Sequence, residues 1–216
     1  MKTEPVKLTS TSPLLRPLGP ALLAGLLTFV AGCLPVSLDP FYTEADLVAE
    51  PRLAGVWLNE DGTGTWTFDS PPSETAGYRL TLLEGEGERG TFAARTFRLN
   101  DQLFLDLSPT REVLESVKVT GLYAYLNVPG HTVLRANWVA AGLELALLDN
   151  KELAKILEAN PRKYATRPYE GEGVLLTGTT RELQELLREV QRDEALWETI
   201  KLVRKAPEID SAPPAK

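Results

Sequence analysis

The sequence is poor in the residues that most often carry chemistry. Its 216 residues include one cysteine, one histidine and one methionine. A single cysteine cannot form an internal disulfide or a cysteine-rich zinc site, and a single histidine excludes two-histidine zinc and iron sites. Basic residues are also in the minority, with 23 lysines and arginines against 30 aspartates and glutamates and a formal net charge of -7. We therefore expect no metal, no cofactor and no nucleic-acid partner, since a phosphate-backbone binder needs a basic surface.

The chain does have a short apolar run near its start. Lys2, Lys7 and Arg16 precede the apolar and uncharged residues 21–31. This order is typical of the n-region and h-region of a secretory signal peptide. A helix of this length spans about 16 Å, against about 30 Å of hydrocarbon in a bilayer. Residues 1–32 are therefore predicted to direct secretion without forming a membrane span.

The apolar run ends in Val30-Ala31-Gly32-Cys33. These four residues resemble the lipobox of bacterial lipoproteins, in which small residues precede an invariant cysteine. The resemblance implies cleavage between Gly32 and Cys33 and a diacylglyceryl group on the Cys33 thiol. A lipid bilayer is then the expected partner, because two or three acyl chains hold a protein stably on a membrane. Leu34 stands where lipoproteins kept in the inner membrane often carry Asp, which favours the outer membrane of a cell envelope. The alternative is an uncleaved anchor helix with a buried cysteine.

Lipidation also bears on catalysis. A thioether has no thiolate, so an acylated Cys33 cannot be a nucleophile. Cleavage would remove three basic residues and one acidic residue, which makes the mature chain more acidic than the precursor. We expect an envelope protein that is not an enzyme and is held by its lipid alone.

The rest of the chain divides into three parts. Residues 33–52 contain three prolines and predict a lipidated tether, with a helical turn near residues 43–48 and with Phe41-Tyr42 docked on the domain. Residues 53–205 contain the folded domain. Residues 206–216 contain three more prolines without periodicity and predict a disordered tail.

The domain has the pattern of many short β-strands. Apolar and polar residues alternate, as in Trp66 and Phe68 against Thr65 and Thr67, and tight turns follow. About eight such strands predict a mainly β fold, an antiparallel meander closed into a barrel. The pattern of residues 122–128 fits either a strand or an aromatic loop.

One segment departs from the alternation. Within residues 90–99 the apolar residues change from one alternating face of the strand to the other between Phe92 and Phe97. An extra residue in one strand shifts the phase in this way, so the slip predicts a bulge or bend near Ala94-Arg95.

Two helices are expected in the C-terminal half. Asp149 with Glu152, and Thr179 with Glu182, have the spacing of N-terminal caps in front of apolar runs. The first helix must end before Pro161. Short strands are expected at residues 174–177 and 200–204.

The tripeptide Gly55-Val56-Trp57 opens the first strong strand. It resembles the Gly-x-Trp signature of lipocalins and related calycin barrels, in which the tryptophan closes the barrel floor beneath an arginine of the last strand. The resemblance implies this floor for Trp57 and this arginine for Arg204 or, second, Arg188. The mature chain is also similar to a group of bacterial lipoproteins of uncharacterised function, which implies no activity.

Large apolar side chains are the candidates for a cavity lining or a core. They are Trp57, Trp66, Phe68, Tyr78, Leu80 and Trp138. A small barrel is either filled by its own side chains or holds one small ligand. The first hypothesis is a module that binds a small apolar or amphipathic ligand. The second is a filled barrel that docks to an envelope protein through helix 180–192 or its outer face.

The histidine supports only a weak third hypothesis, a hydrolase. His131 shares its strand face with Val133, Arg135 and Asn137, so the alternation points it outward or into a polar lumen. It is either a ligand or base at the barrel rim, or a surface or hydrogen-bonded structural histidine. No Gly-x-Ser-x-Gly motif supplies a nucleophile, and the acidic residues between 39 and 61 lack EF-hand spacing.

Overall fold

The structure is a computed structural model that describes residues 34–71, 76–85, 87–110, 130–169 and 173–206. The predicted signal peptide, the lipobox with Gly32 and Cys33, the strand or aromatic loop at 122–128 and most of the predicted tail lie outside these residues. No helix in the described ranges is long and apolar enough to cross a bilayer.

Within the described ranges the chain forms eleven strands and two α-helices. The strands are β1 (Val36–Ser37), β2 (Gly55–Asn59), β3 (Gly64–Asp69), β4 (Gly77–Glu84), β5 (Glu88–Leu99), β6 (Gln102–Pro109), β7 (Thr132–Val139), β8 (Gly142–Leu148), β9 (Thr166–Tyr169), β10 (Gly173–Leu176) and β11 (Trp197–Arg204). The helices are α1 (Asn150–Ala159) and α2 (Thr180–Val190). Short 3₁₀ turns occupy Glu44–Asp46, Pro51–Leu53 and Glu194–Leu196.

Eight strands close into an antiparallel barrel, which confirms the predicted fold class. Strands β2 to β8 pair in chain order, and β11 pairs with both β8 and β2. Leu202 therefore has Leu143 on one side and Asn59 on the other. This is the up-and-down order of a meander. The two helices, with β9 and β10, form the connection between β8 and β11.

The barrel encloses one hydrophobic core. Alternate residues of each strand point inward, because successive side chains lie on opposite faces of a strand. Its buried members are Leu53, Trp57, Trp66, Phe68, Tyr78, Leu80, Ala94, Leu103, Leu105, Leu107, Leu134, Ala136, Leu143, Leu145, Leu147 and Leu202.

A second hydrophobic core lies outside the barrel wall. Phe97, Phe104 and Val133 point outward from β5, β6 and β7 and are fully buried. Leucines of α1 and α2, together with Phe41, cover them. The alternation predicts that this strand face points outward from the barrel. It does, but a second layer covers it, and Arg135 on the same face is buried too.

Strand β5 runs without a bulge, so the bulge, one of the two alternatives near Ala94-Arg95, is wrong. Its pairing with β6 proceeds one residue at a time from Phe92 opposite Pro109 to Leu99 opposite Gln102. Phe92 and Ala94 belong to the inner core, whereas Phe97 belongs to the outer core. The apparent slip arises because one strand of unbroken register is buried on opposite faces in its two halves.

The predicted tether is instead part of the folded body. Val36 pairs with Leu175 of β10, and Leu47 forms an isolated bridge to Phe97. Phe41 is fully buried in the outer core, as its predicted docking requires. Proline spacing removes the periodicity that marks a strand, but an extended segment that adds to a sheet edge tolerates proline. The folded body therefore includes residues 34–52, and a boundary at 53 is wrong.

Both predicted helix starts are confirmed. The Asp149 side chain accepts a hydrogen bond from the Glu152 backbone N–H. Thr179 and Glu182 form a reciprocal capping box. Four apolar side chains of α2, at 183, 186, 187 and 190, are buried in the outer core. Strand β11 starts three residues earlier than residue 200, where the sequence placed it.

Candidate functional site

One end of the barrel is closed by a stack of two arginines on two tryptophans. We call this the floor end. The Arg204 guanidinium lies over the Trp57 ring with its Cζ 4.3 Å from the ring centroid. Arg52 lies over Trp138 at the same distance. The Trp57 and Trp138 ring centroids are 5.8 Å apart. Each arginine contact contributes about 0.5–1 kcal/mol at an exposed site.

Local backbone geometry builds the floor. Gly55 has a φ of +123°, and a Cβ placed on it would lie 2.7 Å from Nη1 of Arg204. That guanidinium donates hydrogen bonds to the backbone oxygens of Ala54, at 2.9 Å, and Arg52. Trp57 donates its indole N–H to the Leu53 carbonyl oxygen at 2.8 Å. The glycine is required both by the backbone angle and by the close approach of the arginine. Of the two arginines that the resemblance allowed, Arg204 is the one over the tryptophan.

A buried carboxylate joins the floor to the preceding turn. Glu50 accepts two hydrogen bonds from Arg52, at 2.9 Å and 3.2 Å. The Glu50 backbone N–H donates to the Tyr78 hydroxyl at 3.3 Å. Hydrogen bonding from Arg52 lowers the pKa of Glu50, against a smaller opposing effect of burial.

The candidate cavity residues form core. Trp57, Trp66, Phe68, Tyr78 and Leu80 are all buried in the inner cluster, and Trp138 packs against it partly buried. Phe68 and Tyr78 meet edge to face, with centroids 6.3 Å apart. Trp66 donates its indole N–H to the Asn59 side chain at 2.9 Å. In the described part of the chain, the centre of the lumen is occupied by these side chains.

A cleft of about 240 Å³ lies at the opposite end of the barrel, which we call the mouth end. Leu82, Glu84, Arg89, Gly90 and Phe92 line it, around the turn between β4 and β5. Leu82 and Phe92 pack on the inner core while remaining partly exposed. Its volume is below the 300–1,000 Å³ of ordinary small-molecule sites. The cleft is thus a shallow opening above a filled lumen.

The first described residues lie at the mouth end. The Pro35 carbonyl oxygen accepts a hydrogen bond from Thr132 Oγ1, at the start of β7, at 3.0 Å. Leu34 packs against the inner core, although it precedes every barrel strand. Ser37 and His131 exchange backbone hydrogen bonds at 2.8 Å and 2.9 Å.

The single histidine belongs to a clasp that holds this segment. His131 Nδ1 lies 2.6 Å from Asp106 Oδ1. The other carboxylate oxygen accepts the backbone N–H of Phe41 at 2.9 Å. Burial, with a contribution from Asp106, raises the pKa of the neighbouring Tyr42. Sequence reasoning missed Asp106, since a lone aspartate in an apolar strand gives no local sign of its two distant partners.

An ion pair between the buried Arg135 and the exposed Glu194 fastens the outer layer. Arg135 donates to both carboxylate oxygens of Glu194, at 2.9 Å and 2.5 Å, and to the Gln191 carbonyl oxygen at 2.8 Å. Its Cζ lies 5.1 Å from the Trp197 ring centroid. The position that appeared solvent-facing in the strand pattern therefore binds the end of α2 to the barrel.

Asp46, one of the acidic residues of the N-terminal segment, serves a structural role. Asp46 accepts hydrogen bonds from Thr43 and from the Gln184 side chain, the latter at 2.8 Å. Among the described residues, no three histidine, cysteine, aspartate or glutamate side chains are grouped as a metal site.

The fold and these contacts define a class, a closed eight-stranded antiparallel barrel with a helical outer layer. Comparisons with protein-family models, curated proteins and solved structures found no match.

Proposed function

We propose that the protein is a lipoprotein of a bacterial cell envelope, anchored through acylated Cys33, and that it acts through its outer surface without catalysis. The lipobox resemblance and the preceding apolar run support the anchor. The filled lumen is the observation that favours surface action over transport of a ligand inside the barrel, because buried side chains occupy its centre.

The side of the barrel that neither of the described helices covers is the surface proposed for an envelope protein partner. The apolar face of α2 is already buried against the barrel, so this helix has only its charged face to offer. On β2 and β3, by contrast, the outward residues Val56, Leu58, Thr65 and Thr67 are half-exposed. Branched side chains on a half-buried strand face suit packing against another surface.

The anchor is tested by the mass of the purified protein. The wild-type chain should lose residues 1–32 and gain the mass of its acyl groups. Cys33→Ser should gain none and should leave the membrane fraction. Unmodified wild-type protein would contradict the anchor.

The partner surface is tested in cells with a photo-crosslinking amino acid at Thr67. A single discrete protein adduct is expected there. The matched position is Glu185, on the exposed face of α2. Equal labelling at both positions, or an adduct at Glu185 alone, would contradict the assignment to β2 and β3.

The mouth cleft supports a second candidate function, the binding of one small amphipathic molecule. Leu82 and Phe92 offer apolar contact beside the charges of Glu84 and Arg89. Native mass spectrometry of the acylated protein separates the candidates. If the protein acts only through its outer surface, the measured mass should be that of the acylated chain alone. A bound molecule that is lost in Leu82→Trp, but kept in Val139→Trp at the floor end, would favour the second.

A further inference from the structure

We propose that the barrel stands on the bilayer with its mouth end toward the lipid and its floor end away from it. This inference rests on the anchor at Cys33 and adds which surface of the folded body meets the membrane. The partner is a lipid surface, and the contact residues belong to the described part of the chain.

The path of the N-terminal segment sets this orientation. Leu34 packs on the inner core, and Pro35 is hydrogen bonded to Thr132 at the mouth end. From there the segment continues to Phe41 beside Asp106, bridges Phe97 through Leu47, and reaches the floor at the turn Pro51–Leu53. Leu34 directly follows Cys33 in the chain, and consecutive Cα atoms are about 3.8 Å apart, so an acyl group on Cys33 would join the folded body from this end.

The docking of this segment removes the freedom that a tether would give. Some twenty extended residues would reach roughly 65 Å from the membrane. Instead, Ser37 is fully buried, and its backbone is paired with His131 and, through β1, with β10. A body held this close to its anchor cannot turn its floor end toward the bilayer without breaking these contacts.

The side chains around the mouth suit a shallow contact with lipid. Leu83, on β4 beside the cleft, is 42% exposed, and Leu38, just after β1, is 41% exposed. Leu82 and Phe92 are partly exposed in the cleft itself. Glu84 and Arg89, one acidic and one basic, line the same cleft, so its charges suit a zwitterionic membrane.

Single introduced cysteines test the orientation, because a mature chain acylated at Cys33 has no other thiol. Leu83→Cys probes the mouth end. Val139→Cys is its matched control, since Val139 is 39% exposed beside the turn between β7 and β8 at the floor end. Each acylated full-length variant is labelled with a fluorophore and reconstituted into phosphatidylcholine vesicles that carry nitroxide lipids.

We expect lipid nitroxides to quench the Leu83→Cys label several-fold more than the Val139→Cys label. Equal quenching, or stronger quenching at Val139, would overturn the orientation. Leu38→Cys and Val203→Cys form a second pair in case the first pair does not fold.

Two further readings on the same samples separate this proposal from the anchor itself. Absence of the acyl mass and of vesicle flotation would contradict the anchor at Cys33. Acylated protein that floats with the vesicles but shows equal quenching would leave the anchor intact and overturn the orientation alone.

Discussion

Arg204 of β11, the last strand, lies on the face of Trp57 in β2, the first strand of the barrel, with its guanidinium carbon 4.3 Å from the ring centroid. This contact links the two ends of the barrel sequence, because Arg204 is also the register partner of Trp57 in the β11–β2 pairing. Closing the sheet and closing the floor are thus achieved by the same pair of residues.

The glycine that precedes this tryptophan is the first point to test. Gly55→Ala adds a Cβ at a φ of +123°, within 2.7 Å of Arg204 Nη1. Strain at such a backbone angle costs about 1–3 kcal/mol, and displacement of the arginine adds to it. Gly62→Ala is the matched control, since Gly62 also has a positive φ but has nothing within 4 Å of its Cβ position. Chemical denaturation should show a larger loss for Gly55→Ala, and equal losses would contradict the role of the arginine contact.

The tryptophan itself should carry much of the stability of the floor. Trp57→Ala removes a buried ring and its hydrogen bond to Leu53, which we expect to cost about 3–5 kcal/mol. Trp57→Phe keeps an aromatic ring and should cost less. Val203→Ala, on the exposed face of the same strand pair, should change the free energy of unfolding by less than about 0.5 kcal/mol. A loss below about 1 kcal/mol for Trp57→Ala would contradict its place in the inner core.

The closed barrel was predictable because its signals are local. Alternation within strands and turns such as Asn100-Asp101, where Asn100 has a φ of 54°, depend on neighbouring residues only. The cap formed by Thr179 and Glu182 is equally local. Each of these patterns involves only a few consecutive residues, so it can be recognised from a single sequence.

The outer layer was not predictable, because its contacts join distant residues. Phe97 looked out of phase because the second core that buries it is built from helices that begin only at residues 150 and 180. Residues 34–52 looked like a tether because their partners are β10, Phe97 and Asp106. The contacts of the candidate site also join residues that are distant in the sequence. The contact between Trp57 and Arg204 could be predicted only from a family resemblance. No resemblance pointed to the contacts of Asp106.

The Glu50–Arg52 pair predicts a pH dependence. The Arg52 hydrogen bond lowers the pKa of Glu50 in the folded state. A carboxyl group with a lowered pKa stabilises the fold above its unfolded pKa of about 4.3, and that stabilisation disappears as the pH falls through the folded value. Glu50→Gln should therefore lower the thermal midpoint at pH 7, and its difference from the wild type should shrink below about pH 4. Arg52→Gln should reproduce this pattern, and a difference that is constant from pH 7 to pH 3 would contradict it.

The clasp around Asp106 should hold the N-terminal segment on the body. Asp106→Ala removes the acceptor for the Phe41 N–H and the partner of His131, and leaving a buried donor unsatisfied costs about 1–3 kcal/mol. Limited proteolysis should then cut within residues 38–48 faster than in the wild type, while Asp106→Asn, which keeps one oxygen acceptor, should fall between the two. Leu38→Ala is the control for the segment, since that side chain is largely exposed. If the segment in Asp106→Ala resists the protease as well as it does in the wild type, burial of Phe41 alone holds it, and the carboxylate is not the clasp.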